Sequence, residues 1–388
     1  MHIYGYWFTP LELIIAGTLL FFFIWQIVQF IRVYGAVLRY NKKQKKANTL
    51  LSPGQPSVSV IICARDEAEN LRNNIPHIVS QNYPEFEVIV VNDGSTDETE
   101  HVLTNLKDKY PNLRSTFVPY GATNLSTKKL ALTLGIKAAK YDWVLLTDAD
   151  CVPNSNNWIS AMAKHFHTGT EIVLGYGAYT TENKGLNKLI TFDTLLNGLQ
   201  YLGFAILGKP YMGVGRNLAY RKEVFFRLKG FASNLHLRSG DDDLLVNAAA
   251  NRHNTKVEAS PESITWSKPS KSLREWFYQK ERHLSVSSFY TTSSKTRLIV
   301  EPITRMLFYI SFIAAFVFGN HITMAYAGFL FLIRFAVQLS IINRSSKQFG
   351  GRRYFISVFT FDLLLPLLSL FMLTFGKMGK KSKQIVWK

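Results

Sequence analysis

In residues 144–151, a run of apolar and β-branched side chains comes directly before two carboxylates. Val-Leu-Leu-Thr is followed by Asp148, Ala149 and Asp150, with Cys151 next. Such a run predicts a strand buried on both faces, as in a parallel sheet covered by helices. Asp-x-Asp alone is also common in solvated turns, but this strand would deliver both carboxylates to the edge of a sheet. Carboxylates at that edge predict a divalent metal site.

Two earlier apolar runs end in acidic clusters in the same way. Residues 58–64 lead into an Arg-Asp-Glu cluster that ends at Glu67, and residues 86–91 lead into an Asn-Asp-Gly-Ser loop that contains Asp93. A helical pattern follows each run, and this alternation predicts a parallel α/β sheet wound from βαβ units. Ligands of such sheets bind at the carboxyl ends of the strands. Gly94 would let the backbone approach a ligand closely, so we expect Asp93 to contact one.

Three adjacent aspartates, Asp241, Asp242 and Asp243, stand where a further helix is predicted to begin. Carboxylates at a helix N-terminus complement the macrodipole by about 0.3–1 kcal/mol each, which is the purely structural explanation. Adjacent like charges also repel one another, which raises the pKa of at least one group and suits a general base. We favour the catalytic interpretation for Asp241 and Asp242.

Other polar positions have two interpretations each. Gln279 and Arg282 share one face of a predicted helix, where they either hold a diphosphate or acceptor, or anchor the helix in a membrane interface. Lys128, at the start of another predicted helix, either reaches a phosphate or is simply solvated. Ser95 and Glu98 have capping-box spacing, which favours a helix start over a ligand contact.

The chain is apolar at both ends and basic beside them. Residues 11–33 match the roughly 20 residues that span a bilayer, and residues 306–319, 322–342 and 355–375 are further candidates. The net charge of +18 crowds beside these runs, as expected for membrane-surface anchors and not for a nucleic-acid binder. No cleavage site follows the first run and residues 39–46 are basic, so we predict a retained anchor. The two cysteines end predicted buried strands, which indicates a reducing compartment.

Four spans do not fit the distribution of basic residues. With the middle of the chain in the cytoplasm, a fourth span would put the basic tail outside. Either the positive-inside rule fails for this tail, or one segment is re-entrant or interfacial, and residues 306–319 are the candidate for that segment. Arg334 and Asp362, inside two apolar runs, are expected to face protein or a water-filled path. Residues 191–207 form either a core helix or one that rests on the membrane. The predicted parts are a transmembrane anchor (residues 1–38), a basic juxtamembrane linker (39–56), a cytoplasmic catalytic domain (57–268), an interfacial helix region (269–300), transmembrane segments (301–376) and a basic tail (377–388).

Five short motifs occur in order between the membrane segments. They are Asp66-Glu67, Asn92-Asp93-Gly94-Ser95, Asp148-Ala149-Asp150, Asp241-Asp242 and Gln279-Lys280-Glu281-Arg282. Each motif alone is weak, but in this order the chain resembles the family 2 glycosyltransferases of the GT-A fold, especially the membrane-anchored, cellulose-synthase-like branch. The resemblance implies an α/β fold with a mixed, mainly parallel sheet flanked by helices, and with N-terminal and C-terminal transmembrane helices.

The resemblance also implies roles for individual residues. Asp150, with Asp148, would ligate Mg²⁺ or Mn²⁺. Asp242, beside Asp241, would deprotonate the acceptor hydroxyl for inverting, in-line displacement. The expected partners are a nucleotide-sugar donor, a lipid-linked or glycan acceptor and membrane lipids, and nucleic acid is not expected. The residues that would contact the donor, its diphosphate or the acceptor are Glu67, Asp93, Lys128, Asp148, Gln279 and Arg282.

One departure from the family pattern bears on the product. His283 replaces the tryptophan that follows the arginine in polymerising members, and this removes a stacking platform for a long sugar chain. We therefore predict single-sugar transfer by an integral protein of the cell (plasma or inner) membrane. The alternatives are a processive polysaccharide synthase and, outside enzymes, a catalytically silent nucleotide-binding module of a membrane export complex.

Overall fold

The computed structural model describes residues 2–3, 6–47, 55–119, 127–235, 237 and 239–375. Its strands are β1 (His2–Ile3), β2 (Tyr6–Trp7), β3 (Val58–Ala64), β4 (Phe86–Asn92), β5 (Leu113–Phe117), β6 (Trp143–Asp148), β7 (Val152–Pro153), β8 (Ile172–Leu174), β9 (Gly177–Tyr179), β10 (Leu218–Arg221), β11 (Thr255–Val257) and β12 (Thr265–Ser267). Its α-helices are α1 (Pro10–Gln29), α2 (Ala36–Ala47), α3 (Ala68–Val79), α4 (Thr99–Lys109), α5 (Thr127–Ala138), α6 (Trp158–Ala163), α7 (Gly185–Ile206), α8 (Lys222–Arg227), α9 (Asp243–Ala249), α10 (Leu273–Ser287), α11 (Thr292–Phe318), α12 (His321–Gln348) and α13 (Ile356–Phe375).

A seven-stranded sheet forms the centre of the region between the apolar helices, in the order β11-β8-β10-β6-β3-β4-β5. The strands β3, β4, β5 and β6 are parallel, as the apolar runs predict, and β10 is antiparallel to both β6 and β8. Every residue of β3 is buried, because its two faces pack into two separate apolar clusters. The observed sheet is therefore mixed, mainly parallel and covered by helices.

The register of the central strands brings their carboxyl ends to one edge of the sheet. Cys63 of β3 pairs with Asp148 of β6, and Ala64 of β3 pairs with Asn92 of β4. Because the three strands end level with one another, the residues that follow them, including Asp93, lie side by side. This edge is where the acidic motifs of the sequence meet.

The helix α7 is a core helix, which decides between the two interpretations of residues 191–207. Most of its apolar residues are buried, and the buried Asp193 pairs with Lys280 of α10 at 2.8 Å. Gly203 of α7 packs on the π-helical turn Phe30–Tyr34 between α1 and α2, where a Cβ atom would lie 2.2 Å from the carbonyl oxygen of Val33. Glycine is therefore required where α7 crosses the first apolar helix.

Three helical segments among the described residues are long and apolar enough to cross a membrane, namely Pro10–Gln44, Thr292–Phe318 and His321–Gln348. The second segment is longer than the apolar run 306–319 on which the sequence prediction was based, so by length and composition it could cross a membrane. The helix extends N-terminally to Thr292 and has 27 residues, because Glu301 and Arg305 in its first half pair with each other and remain buried. The shorter apolar helix is the last one, with Ile356–Met372 as its apolar part.

A buried ionic cluster joins four of these helices. Asp362 of α13 pairs with Arg334 of α12 at 2.8 Å and with Arg305 of α11 at 3.2 Å. Arg305 also pairs with Glu301, and Gln26 of α1 accepts a hydrogen bond from Arg334 at 3.1 Å. Arg334 and Asp362 therefore face protein, as predicted for ionisable groups inside apolar runs. We call these four charged residues, Glu301, Arg305, Arg334 and Asp362, the membrane cluster.

The linker predicted at residues 39–56 begins as a helix. The helix α2 continues the first apolar helix as far as Ala47, and its sequence is rich in the strong helix formers lysine and glutamine. The Asn41 side chain donates to the carbonyl oxygen of Ala259 at 2.6 Å, which attaches α2 to the sheet domain. Residues 48–54 of this linker and the basic tail at 377–388 lie outside the described residues.

Candidate active site

Lys128 connects two of the acidic motifs at the sheet edge. Its Nζ atom lies 3.1 Å from Asp148 Oδ1 and 3.6 Å from Asp241 Oδ2. Asp148 ends β6 and Lys128 lies in the first turn of α5, so the sheet and the helix packed on it determine this contact. Burial alone would lower the pKa of Lys128, but the carboxylates of Asp148, Asp241 and Asp242 raise it overall. The amine therefore stays charged.

Asp148 and Asp150 present the ligands of a candidate metal site. A carboxylate oxygen of each residue and the Sγ atom of Cys151 all lie within 4.8 Å of one another. Burial and the neighbouring Asp148 charge raise the pKa of Asp150, and a divalent cation would relieve that repulsion. Burial also raises the pKa of the Cys151 thiol well above its ordinary value, so the thiol stays protonated. The two carboxylates are the donor set that fits Mg²⁺ or Mn²⁺.

Asp242 is held at the N-terminus of α9 by two backbone N–H groups. The Gly215 N–H donates to its Oδ2 at 2.6 Å, and the Asp243 N–H donates to its Oδ1 at 2.8 Å. Burial and the Asp241 charge raise the pKa of Asp242 to about 6. A fixed carboxylate with a pKa this close to neutral pH is suited to accept a proton during a reaction.

The three adjacent aspartates have different surroundings. Burial and the Asp242 charge raise the pKa of Asp243 to about 8, and the Tyr290 hydroxyl donates to its Oδ2 at 2.7 Å. Burial would also raise the pKa of Asp241, but the Lys128 charge lowers it overall. The expected rise in pKa thus occurs at two of the three residues, with burial as its larger cause. Asp241 is paired and Asp243 is covered by a tyrosine, which leaves Asp242 as the candidate base.

The helix α10 brings Arg282, but not Gln279, to these carboxylates. The Arg282 charge helps to lower the pKa of Asp241 against the effect of burial. Its buried Nε atom has no hydrogen-bond partner among the described residues, and an unpaired buried donor fits an anionic ligand such as a phosphate. Gln279 instead donates to the Tyr179 hydroxyl at 2.9 Å and accepts a hydrogen bond from the Ser270 hydroxyl at 3.3 Å.

The loop after β3 is bonded to the loop after β4. Asp66 Oδ1 accepts a hydrogen bond from the Thr96 N–H at 2.7 Å, and Ser95 Oγ accepts one from the Asp66 N–H at 3.0 Å. The predicted capping box of Ser95 and Glu98 is therefore wrong. The helix α4 begins at Thr99, after an N-cap residue whose side chain makes no capping hydrogen bond, because Ser95 bonds the other loop.

Glu67 and Asp93 lie on the same side of the sheet as the metal ligands. Burial raises the pKa of Glu67 against its hydrogen bond from Asn70, and the Asp150 charge adds to the rise. Glu67 is therefore within electrostatic range of the candidate metal site. The Asp93 side chain is buried, with its Oδ2 atom 3.8 Å from Arg65 Nη1, so a guanidinium also reaches this edge.

Arg216 belongs to this site although none of the sequence motifs includes it. Its guanidinium lies over the Tyr179 ring, 4.2 Å from the centroid, and Nη1 donates to Ser267 Oγ at 2.9 Å. Its charge opposes the rise in the pKa of Asp150. The available signal in the sequence was the glycine-rich loop directly before it, whose Gly215 binds the candidate base.

The mixed, mainly parallel sheet, with carboxylates gathered at its strand ends, has the GT-A fold of glycosyltransferases. A solved mannosyltransferase with this fold is PcManGT from Pyrobaculum calidifontis, in complex with GDP-Man and Mn²⁺. It matches with a TM-score of 0.51 and 18% identity, and the match covers 92% of this chain and 99% of that chain. Residues 59–228 match the model of glycosyl transferase family 2, so the chain carries a domain of that family.

Two curated relatives are similar over different lengths. A poly-β-1,6-N-acetyl-D-glucosamine synthase from Staphylococcus epidermidis is 32% identical over 147 residues, which cover 36% of this chain and 33% of the synthase. The probable glycosyltransferase YdaM from Bacillus subtilis is 23% identical over 309 residues, which cover 74% of this chain and 69% of YdaM. The first match therefore spans about a third of the length of the synthase.

Proposed function

We propose that this chain is a membrane-bound, metal-dependent, inverting glycosyltransferase that moves one sugar from a nucleotide-diphosphate sugar to a lipid-linked or glycan acceptor. The observation that carries the proposal is the contact of Lys128 with Asp148 and Asp241, with Asp242 held beside them by Gly215. Such a transfer needs carboxylates for a cation, positive charge for a phosphate and a base whose pKa is near neutral. These residues supply all three.

The donor would lie along the carboxyl edge of the sheet. Asp93 and Asp148, at two strand ends, offer carboxylates to the hydroxyl and amine groups of a nucleoside. Lys128 and the unpaired Nε of Arg282 offer positive charge to the diphosphate. A divalent cation held by Asp148 and Asp150 would neutralise the charge that develops on the leaving diphosphate.

Asp242 would act as the general base. Its carboxylate takes the proton of the acceptor hydroxyl while the acceptor oxygen forms a bond to the anomeric carbon of the sugar. The bond from that carbon to the diphosphate oxygen breaks on the opposite face, so the configuration inverts and the nucleoside diphosphate leaves. The N–H groups of Gly215 and Asp243 fix the orientation of the carboxylate. Burial and the ionised Asp241 beside it keep the pKa of Asp242 near 6.

The packing of the sheet domain on the apolar helices supports an acceptor at the membrane surface. Gly203 of α7 touches the first apolar helix, and the Lys280–Asp193 pair attaches α10 to α7. Arg282 lies half a turn further along α10, so the helix that is attached to α7 also carries a residue of the candidate active site. The basic residues Lys42 and Lys43 follow the first apolar helix, which favours a cytoplasmic location for the domain on the cell membrane.

Turnover of a nucleotide-sugar panel by the purified full-length protein tests the proposal. The panel includes GDP-mannose and nucleotide-activated N-acetylglucosamine, which the names of the similar proteins suggest, together with a membrane lipid extract as acceptor source. We expect release of nucleoside diphosphate with Mg²⁺ or Mn²⁺ and its loss with a chelator. Donor binding without turnover across the panel would instead favour a silent nucleotide-binding module.

A processive polysaccharide synthase is the second candidate function. The similarity to the Staphylococcus epidermidis synthase favours it, whereas His283, an exposed residue in place of a stacking tryptophan, opposes it. The two functions differ in the size of their products. A ladder of products from one acceptor would support the synthase, and strictly single additions would exclude it.

A further inference from the structure

A large cavity lies beside the first apolar helix, away from the acidic site. It has a volume of about 1230 Å³ and lies between α2, the C-terminal end of α7, the edge strand β11 and the end of α12. Among the described residues, none of the active-site carboxylates lines it. Its volume exceeds the roughly 300–1,000 Å³ of an ordinary ligand pocket, so it can take a large group that enters only in part.

The charged residues that line this cavity are mostly basic. Lys164, Lys209, Arg252 and Lys256 contribute four positive charges, and Glu258 contributes one negative charge. Within the described part of the chain, none of the four basic side chains forms an ion pair. The cavity therefore has a net positive lining, because its one carboxylate does not balance four basic side chains.

The hydrogen bonds of Glu258 and Ser260 also favour an anion as the ligand of this cavity. Glu258 is already bound, because His165 Nε2 lies 2.9 Å from its Oε2 and the Ser260 N–H donates to its Oε1 at 2.7 Å. Ser260 also lines the cavity, and its buried Oγ atom has no hydrogen-bond partner among the described residues. An oxygen-rich anion would give that hydroxyl an acceptor.

One end of the cavity adjoins the end of the first apolar run. Gly203 of α7 touches Val33, the last residue of the first apolar run, and α7 ends at Ile206, which lines the cavity. On the other wall, Tyr40 of α2 lies about 10 Å further along the helix than Val33, at 1.5 Å per residue. Headgroups occupy about the first 5–8 Å outside the hydrocarbon on each side of a bilayer. The apolar end of α7 therefore lies next to the hydrocarbon boundary, and Tyr40 lies slightly beyond the headgroup layer, so the cavity extends from the level of the phosphates towards the sheet domain.

We propose that this cavity binds the phosphate headgroup of an anionic membrane lipid. The phosphate oxygens would pair with Lys209, Arg252 and Lys256 and would accept a hydrogen bond from the Ser260 hydroxyl. The acyl chains would run along Ile206 and the first apolar helix into the bilayer. A lipid bound in this way would fasten the sheet domain to α2. The proposal uses none of the donor-site residues, so it stands independently of the proposed reaction.

Lipid titration of the full-length protein in an uncharged detergent tests the proposal. Phosphatidylglycerol is compared with phosphatidylcholine, which has a phosphate but no net charge, and with inorganic pyrophosphate, which has no acyl chains. The readouts are the melting temperature and the number of lipids retained in native mass spectrometry. We expect phosphatidylglycerol alone to raise the melting temperature and to remain bound. An equal effect of phosphatidylcholine would overturn the proposal, and an equal effect of pyrophosphate would show a soluble-anion site instead.

Two charge-matched triple variants locate the effect. Lys209→Gln/Arg252→Gln/Lys256→Gln should weaken phosphatidylglycerol binding by roughly tenfold or more, because each basic residue near an anionic surface contributes to the attraction. Lys107→Gln/Lys109→Gln/Lys137→Gln removes the same charge from α4 and α5, far from the cavity lining, and should bind like the wild type. Equal binding by the two variants would overturn the assignment to this cavity.

Discussion

The two buried ionic clusters of this protein differ in their balance of charge. In the membrane cluster, two guanidinium groups balance the carboxylates of Glu301 and Asp362, and each of the four charged groups forms an ion pair within the cluster. At the sheet edge, Lys128 is the amine that three carboxylates surround, and further acids lie beside it. The pKa of Asp242 is raised to about 6 as a result of burial and this surplus.

The difference follows from what each cluster faces. Among apolar helices no water solvates a charge, so only a neutral, fully paired set is tolerated. At the sheet edge, a bound cation would neutralise the surplus of carboxylates. Balanced charge thus indicates a structural role here, and unbalanced charge indicates a site that is completed by its ligands.

Asp242→Asn should have the largest effect on activity. The amide keeps the shape of the side chain but cannot take the acceptor proton, so we expect turnover to fall roughly 10²–10⁴-fold. Release of nucleoside diphosphate measures the change, and the melting temperature reports whether the fold persists. Asp108→Asn, at an exposed position of α4, is the matched control and should keep full turnover. Normal turnover by a folded Asp242→Asn protein would remove Asp242 as the base.

Asp362→Leu should have the largest effect on stability. It leaves Arg334 and Arg305 without their shared carboxylate, and breaking a buried pair in this way costs about 3–5 kcal/mol. Chemical unfolding in detergent measures the loss. The double variant Asp362→Leu/Arg334→Met removes charge from both sides and should recover much of it. Turnover per folded molecule should persist, and its loss at normal stability would mean that the membrane cluster is a functional path.

Local sequence patterns predicted the strands and their acidic ends. They did not predict the features that depend on contacts between residues far apart in the sequence. Residues 58–64 and 144–148 are buried strands because an unbroken apolar run has few other stable solutions. The length of α11 was underestimated because hydropathy treats Glu301 and Arg305 as solvated, although they pair with each other and Arg305 also pairs with Asp362 of α13.

The same limitation applies to the active site. The five motifs supplied Asp148, Asp150 and Asp242, but Gly215 lies 27 residues from the aspartate that it binds. Ser95 likewise bonds a residue 29 positions away in place of its own helix. Arg216 was missed because the glycine-rich loop before it does not reveal its contacts with Tyr179 and Ser267, which lie on two other strands.

The pH profile of the reaction tests whether the charges around Asp242 set the pKa of this base. Asp242 must be deprotonated to act, so kcat/KM of the wild type should rise with pH through about 6. The Lys128 charge lowers the pKa of Asp242, so in Lys128→Met this rise should move to higher pH, whatever the loss in rate. The measurement is kcat/KM against pH at saturating metal, with Lys137→Met on the same helix as control. If the profile of Lys128→Met did not move, the Lys128 amine would not contribute to the pKa of the base.

Cys151→Ala should have the smallest effect. Its Sγ atom lies within 4.8 Å of the Asp148 and Asp150 oxygens, but burial raises the pKa of the thiol, so it adds neither charge nor a ligand for a hard cation. The Mg²⁺ concentration for half-maximal turnover should therefore change by less than about twofold, because oxygen donors alone hold the ion. Asp150→Asn, which removes one of those donors, is the comparison and should raise it far more. A large increase in this Mg²⁺ concentration in Cys151→Ala would mean that the sulfur is a metal ligand. The negative charge at the sheet edge would then include a Cys151 thiolate.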